Sequence, residues 1–294
     1  MSKFNAFNFD QTLPIINEET EFFPLLTQQD EEEMRNAEIP EVLPILPLRN
    51  TVLFPGVVIP ITVGRDKSIK LIKDAYKGDR AIGVVSQKDM IVEDPTFEQL
   101  HKVGTVAHII KILQMPDGNT TVIIQGKQRF RLLELVQSEP YMTAKVEKFP
   151  EDKPKTNTKE FKALIASVKE LALQIIQLSP NLPSEAGIAI KNIESPTFLV
   201  NFIASNLSLE LEDKQDLLEN KDFVKRAKQL LEHLTTEIQM LELKNQIQNK
   251  VRVDLDKQDP AGGGLSGPSG GTGPRQNESE GEGGGYVGLF RRKK

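Results

Sequence analysis

The side chains best suited to chemistry are few and scattered. His101 lies near a turn, His108 in an apolar run and His233 in a long helical stretch, so no two stand at the spacing of a metal-ligand pair. Cysteine is absent, which removes thiolate nucleophiles, Cys-ligated zinc and any disulfide framework. Nucleotide chemistry needs a glycine-rich loop whose backbone amides cradle phosphates. The one Gly-Lys pair, Gly126-Lys127, has neither the upstream glycine nor the following hydroxyl. No G-x-G-x-x-G opens a helix, and H-E-x-x-H and G-x-S-x-G are missing from the sequence. A Ser-Lys pair in a recognisable setting is missing too. These residues predict no catalytic centre and no metal site. The stretch Lys127-Gln128-Arg129-Phe130-Arg131 interleaves cations with an aromatic ring, and Arg291 to Lys294 are all basic. On a strand, however, Lys127, Arg129 and Arg131 fall on one face and Phe130 on the other. The favoured reading is a solvated basic face over a core ring. DNA binding is the lesser reading, and it predicts affinity that falls steeply with salt.

The elements that must position these residues divide into zones. Net charge is -5, but residues 1–41 carry ten acids against Lys3 and Arg35, a balance of -8 that leaves about +3 elsewhere. Residues 1–39 read as an acidic disordered arm. From Pro40 to Pro150 short β-branched runs alternate with turns, and Met115–Thr120 holds a Pro-Asp-Gly turn between two strands, a hairpin signal. Gly126 interrupts the second of these strands, where a bulge or sharp bend is the usual cause. Both alternating sets of the first strand are largely apolar (Val106, Ile110, Ile112 and Ala107, Ile109, Leu113), as in a sheet covered on both faces. A helix from Ser68 as N-cap to Gly78 as stop would pack outside it. From Lys159 the apolar period changes to three and four (Phe161, Leu164, Ile165, Val168, Leu171, Ile175), predicting a helical subdomain over 151–221. Ser195-Pro196 and Ser208 mark further helix starts. An uninterrupted helical stretch follows over 222–258, with Leu234, Ile238, Leu241 and Ile247 as a coiled-coil-like assembly stripe. Residues 259–294 form a Gly-rich tail with no core-forming run. No apolar run is long enough for a membrane helix, and "MSKFNAFNFDQ" lacks a secretory pattern. The expectation is a cytoplasmic protein with no membrane contact.

The stretch "LPILPLRNTVLFPGVVIPITVGRDKSIKLI" resembles the opening of the N-terminal domain of Lon, the ATP-dependent protease family. "AIGVVSQKD", "VGTVAHIIKILQMPDGNTTVIIQGKQRFRLLEL", "PYMTAKVE", "FIASNL" and the run to "NKVRVDLDKQ" extend the resemblance from about Pro40 to Gln258. It implies an α+β fold: a β-rich, PUA-like pseudo-barrel with a packed helix, then an α-helical subdomain ending in a long helix. The family's AAA+ ATPase and Ser-Lys protease domains would follow at Asp259, where this chain turns Gly-rich. Hence the resemblance implies a non-catalytic module without its own cofactor, ATP and Mg belonging to the AAA+ domain. Its implied partners are unfolded or degron-tagged proteins and, in the parent protease, a homo-hexamer. The alternative is a free-standing scaffold that self-associates through the long helix.

Pro44 and Pro47 bias the first strand to extended conformation and remove amide donors, predicting pairing that is full on one side only, at an edge or seam. Asn50 and Thr51 side chains would pin the next turn. Phe54-Pro55-Gly56 would then turn across an exposed rim. Phe54, Pro55, Val57, Pro60 and Met115 are thereby the candidate polypeptide-binding patch, with Leu53 and Ile59 assigned to the core.

Overall fold

The structure is a computed structural model that describes residues 28–115, 120–152, 154–179 and 184–258. A helix α1 (Gln28–Asn36) precedes β1 (Val42–Leu48) and β2 (Val58–Val63); α2 (Asp66–Lys77) and β3 (Ala81–Ser86) follow. The paired strands β4 (Val103–Gln114) and β5 (Thr120–Gln137) then lead to β6 (Thr143–Lys148). Helices complete the described residues: α3 (Lys159–Leu178), α4 (Ser184–Asn192), α5 (Pro196–Asn206), α6 (Leu211–Glu219) and α7 (Phe223–Gln258). The described residues up to 248 form one compact unit.

The six strands run in the order β2-β5-β4-β3-β1-β6, and a further pairing of β5 with β6 closes a ring. β5 makes this closure possible by its length. Its first half pairs with β2, Thr120–Gln125 against Val63–Val58, and its second half with β6. The two prolines of β1 explain how that strand serves as the seam. Val42–Pro44 pair with β6 and Ile45–Leu48 pair in parallel with β3, so each half of the strand bonds a different neighbour. The hairpin strands pair as expected, ending at Gln114 opposite Thr120; residues 116–119 of its turn lie outside the described residues.

Both faces of the sheet are covered. Ala107 and Ile109 belong to a large core shared with the helices, while Val106 joins Leu43, Ile45 and Phe130 in a second cluster inside the ring. α2 begins two residues before the expected cap, at Asp66, and Ser68 is buried inside it; Gly78 ends it. Thr158 caps α3 by accepting from the Phe161 amide, and Ser195 caps α5 in the same way with Pro196 behind it. α6 starts later than its Ser208 signal, at Leu211 after Glu210. The turn after β1 is tied by Ser86, whose hydroxyl donates to Thr51 O at 2.6 Å.

The acidic arm is structured at its end. Gln28–Asn36 is helical, Met34 packs partly buried on the large core, and Ile39 packs on the cluster inside the ring. Residues 1–27 of the arm and the tail 259–294 lie outside the described residues. Among the described residues no helix is long and apolar enough to cross a membrane.

Candidate functional site

The turn Phe54-Pro55-Gly56 decides what the opening stretch can do. Gly56 has φ 84°, a left-handed value that suits glycine after proline in a type II turn, and Val57 N donates to Phe54 O at 3.2 Å. The turn is stitched onto β5: Gly56 N donates to Gly126 O and Gly126 N to Val57 O, each at 2.9 Å. A Cβ at position 126 would sit 2.3 Å from Phe54 O, so the bend in β5 and the turn require the same glycine. β5 carries an extra residue here, between the pairs Thr105↔Arg129 and Ala107↔Gly126. Thr105 Oγ1 donates to Leu53 O from beneath. The ring of Phe54 is consequently 0% exposed and Val57 2%.

That overturns the rim reading for two of the five candidate residues. Phe54 and Val57 are core, because backbone pairing with β5 pulls the turn inward instead of leaving it at a rim. Leu53 and Ile59 are core as expected. Pro55 is half-buried beside a cavity, Pro60 sits half-buried on the edge strand β2 opposite Ile123, and Met115 is exposed where β4 ends. Of these three, Pro55 alone lines that cavity.

The cavity beside Pro55 has a volume of about 130 Å³ and is walled by β5, β6, the segment after β6, the start of α5 and helix α1. Arg129 lies on its wall and corrects the solvated-face expectation. It is 4% exposed, because α6 and the start of α7 cover this face of β5, and its Nη1 donates to Leu218 O at 2.7 Å and Asn220 O at 2.8 Å. Lys127 is half-buried and Arg131 exposed, so the three alternating cations share a face but not an environment. Phe130, on the opposite face, is fully buried as expected.

Glu151 is the counterion. Its Oε2 accepts from Arg226 Nη2 at 2.6 Å and stands 3.7 Å from Arg129 Nη2. Burial lowers the Arg129 guanidinium to about 10, with Arg226 pushing the same way and Glu151 opposing; Arg129 remains a cation at neutral pH. Phe149 lies under the guanidinium groups of Arg129 and Arg131, 5.4 Å and 4.8 Å from its ring centre. Two buried polar atoms beside this cavity have no hydrogen-bond partner, Arg129 Nη2 and Asn201 Oδ1. Asn201 Nδ2 is occupied, donating to Pro55 O at 3.0 Å.

Glu151 and Asn201 are the functional candidates the sequence reading passed over. Asn201 interrupts the apolar run of α5 (Phe198, Leu199, Val200, Phe202, Ile203), and a polar residue inside such a run is the signal that marks it. Glu151 sits in a charged segment that offers no comparable signal. The histidines are not brought together: His101 Nδ1 stands 4.0 Å from Glu219, while His108 lies in β4 and His233 in α7. Burial lowers the pKa of both His101 and His108.

A second surface feature lies at the far end of β5. Between the pairs Leu132↔Val146 and Glu134↔Lys145, and again between Leu135↔Ala144 and Gln137↔Thr143, β5 carries one extra residue. Those residues are Leu133 and Val136, 50% and 49% exposed, with Leu135 also exposed between them. Of the assembly stripe, Leu234 and Ile238 are buried in the protein's own core and Leu241 is partly buried against it, whereas Ile247 is 54% exposed.

The family model for the ATP-dependent protease La (LON) substrate-binding domain matches residues 42–236. The chain belongs to this family. Two curated Lon proteases illustrate the relationship. That of Flavobacterium johnsoniae is 58% identical over 247 residues, 84% of this chain and 30% of its own length. That of Cytophaga hutchinsonii is 54% identical over 241 residues, 82% of this chain and 30% of its own length. The chain thus spans less than a third of the length of these Lon proteases. The solved N-terminal domain of the Mycobacterium avium complex Lon protease has the same fold, with a TM-score of 0.55 at 23% identity, over 66% of this chain and 98% of that one. The mixed sheet of six strands followed by helices is therefore the Lon N-terminal architecture. It carries the family's substrate-binding domain, with the seam strand β1 as its first matched element.

Proposed function

We propose that this chain recognises polypeptide substrates for a Lon-type, ATP-dependent protease and is itself non-catalytic. The observation that carries this reading is the match of the substrate-binding family model across both the sheet and the helices that cover it. Nucleotide and magnesium act in the AAA+ domain of the parent protease, and no step of recognition here needs them. Unfolded or degron-bearing chains in the cytoplasm are its ligands. Exposed apolar side chains suit such ligands because they bind extended segments with little sequence preference. Leu133, Leu135 and Val136 on the bulged end of β5 supply that chemistry, with Met115 and Pro60 as separate contributors.

The test is fluorescence anisotropy of a labelled, permanently unfolded protein titrated with the full chain. Leu133→Ser/Val136→Ser and Met115→Ser run in parallel, since these side chains are exposed and their loss leaves the core intact. Saturable binding weakened by the double substitution is expected. Binding no tighter than to an unrelated acidic protein would sink the proposal.

A second reading, self-association through α7, has its own support. Met240, Leu243 and Ile247 are 60%, 51% and 54% exposed and recur at three and four residues, one seam of a helix pair. Sedimentation of the parent chain and of Met240→Ser/Leu243→Ser/Ile247→Ser decides it: a strict monomer in both removes the second reading.

A further inference from the structure

We propose that the face of β5 and α5 beside Arg129 and Asn201, which α1 covers around this cavity, binds acidic polypeptide segments that carry an apolar side chain, and that α1 is resident on that face and displaced when such a segment binds. The proposal deepens the recognition reading above and rests on it.

Three observations converge on this site. First, two residues on the cavity wall, only 4% and 2% exposed, carry buried polar atoms without a hydrogen bond: Arg129 Nη2, which stands 3.7 Å from Glu151 Oε2, and Asn201 Oδ1. A buried guanidinium N–H that makes no hydrogen bond and only a long ion pair can donate to a carboxylate or carbonyl oxygen, and the amide oxygen can accept from a peptide N–H. Glu151 lines the cavity too, but its Oε2 is already held by Arg226 at 2.6 Å. Second, the surrounding cations outlast that pair. Lys127 and Lys148 stand on the same wall, and burial lowers the Lys127 ammonium, with Asp30 of α1 opposing. A partly desolvated ammonium gains from a second carboxylate. Third, α1 displays the chemistry such a site takes. It carries Asp30, Glu31, Glu32 and Glu33 and one large apolar side chain, Met34, and it lies on β5.

The attachment of α1 is suited to exchange. Glu31 accepts from the Ser195 hydroxyl, reaching the capped end of α5, and burial raises its carboxyl above the ordinary range. Ala37 O accepts from Gln128 Nε2 and from Lys148 Nζ, each at 2.8 Å. These are side-chain bonds with one partly buried apolar contact, unlike the backbone ladders of the ring. Elements held in this way open at far lower free energy than a core strand does. A tethered occupant lowers the apparent affinity for a competitor by the fraction of time the site is free.

The experiment uses the full chain and a fluorescein-labelled synthetic peptide copying residues 28–39. Glu31→Ala/Met34→Ser in the chain loosens α1 and should raise affinity for the peptide at least about tenfold. Adding Lys127→Gln and Lys148→Gln to that variant should cancel the gain, and a peptide with its acids changed to amides should bind at least about tenfold more weakly. Equal peptide affinity for the parent and loosened chains, or equal binding of the amide peptide, overturns the proposal. A labelled unfolded protein is titrated alongside. If it binds while the acidic peptide fails to bind the loosened chain, recognition stands and this site falls. If neither binds, both fall.

Discussion

Two segments lie over the same few residues of β5, and they are held by opposite means. The Phe54–Val57 turn is attached at Gly126 by two backbone hydrogen bonds and sends a fully buried ring into the core. One and two residues on, at Lys127 and Gln128, α1 and Ala37 just after it rest on the strand through side-chain bonds, four successive acids and one half-buried methionine. The first arrangement is rigid because every bond it loses on opening would strand a buried backbone group. The second loses bonds that water replaces at little cost. Adjacent positions on one strand thus serve as anchor and as landing surface.

The largest effect is expected from breaking the anchor. Phe54→Ala leaves a cavity beneath the turn and should cost about 3–5 kcal/mol in urea unfolding. Gly126→Val belongs with it, since its Cβ would meet a backbone oxygen that cannot move aside. Next in size is Arg129→Met, which removes two hydrogen bonds to the α6 end and leaves Glu151 with Arg226 alone; a loss of about 1–3 kcal/mol is expected. If Arg129→Met were neutral, the buried ion cluster would contribute nothing to seating the helices on the sheet.

The helical cover can be probed by pH. Lys214 donates to Ser205 O at 2.9 Å, and burial lowers its ammonium to about 8 from 10.5. Between these values the unfolded chain binds more protons than the folded one, so stability rises with pH across that window, and below it the burden is constant. Thermal melts from pH 7.5 to 10.5 should show this rise in the parent and less of it in Lys214→Met. The smallest global effect belongs to α1. Met34→Ser should change overall stability by less than about 0.5 kcal/mol while speeding amide exchange within Gln28–Asn36. A global loss as large as that of Phe54→Ala would erase the contrast between anchor and landing surface.

Much of the scaffold was legible because it depends on local chemistry. Ser195 seats its hydroxyl on a free amide at a helix start, Pro-Gly makes its own turn, and strand alternation sends Phe130 inward wherever β5 pairs. The ends of α2 and α6 were less legible, as tertiary packing carried α2 past Ser68 and held α6 back to Leu211. The candidate site was hardly legible. Its members, Arg129 on β5, Glu151 in the segment after β6, Asn201 on α5 and Arg226 on α7, meet only through long-range packing.

Residue order suffices for the seam strand with its two prolines, the hairpin and the Ser195 cap, and it carries no recognisable catalytic motif. Each of these depends on neighbours a few residues apart. Tertiary structure alone decided that Phe54 is core, that Arg129 is a buried cation, and that an acidic stretch lies on a basic wall. In each case the deciding partner is far away in sequence: Gly126 for the turn, Leu218 and Asn220 for the arginine, Ser195 and Lys148 for the acidic segment. Alternation tells a side chain which face it takes, but only the elements packed on that face determine whether it meets water.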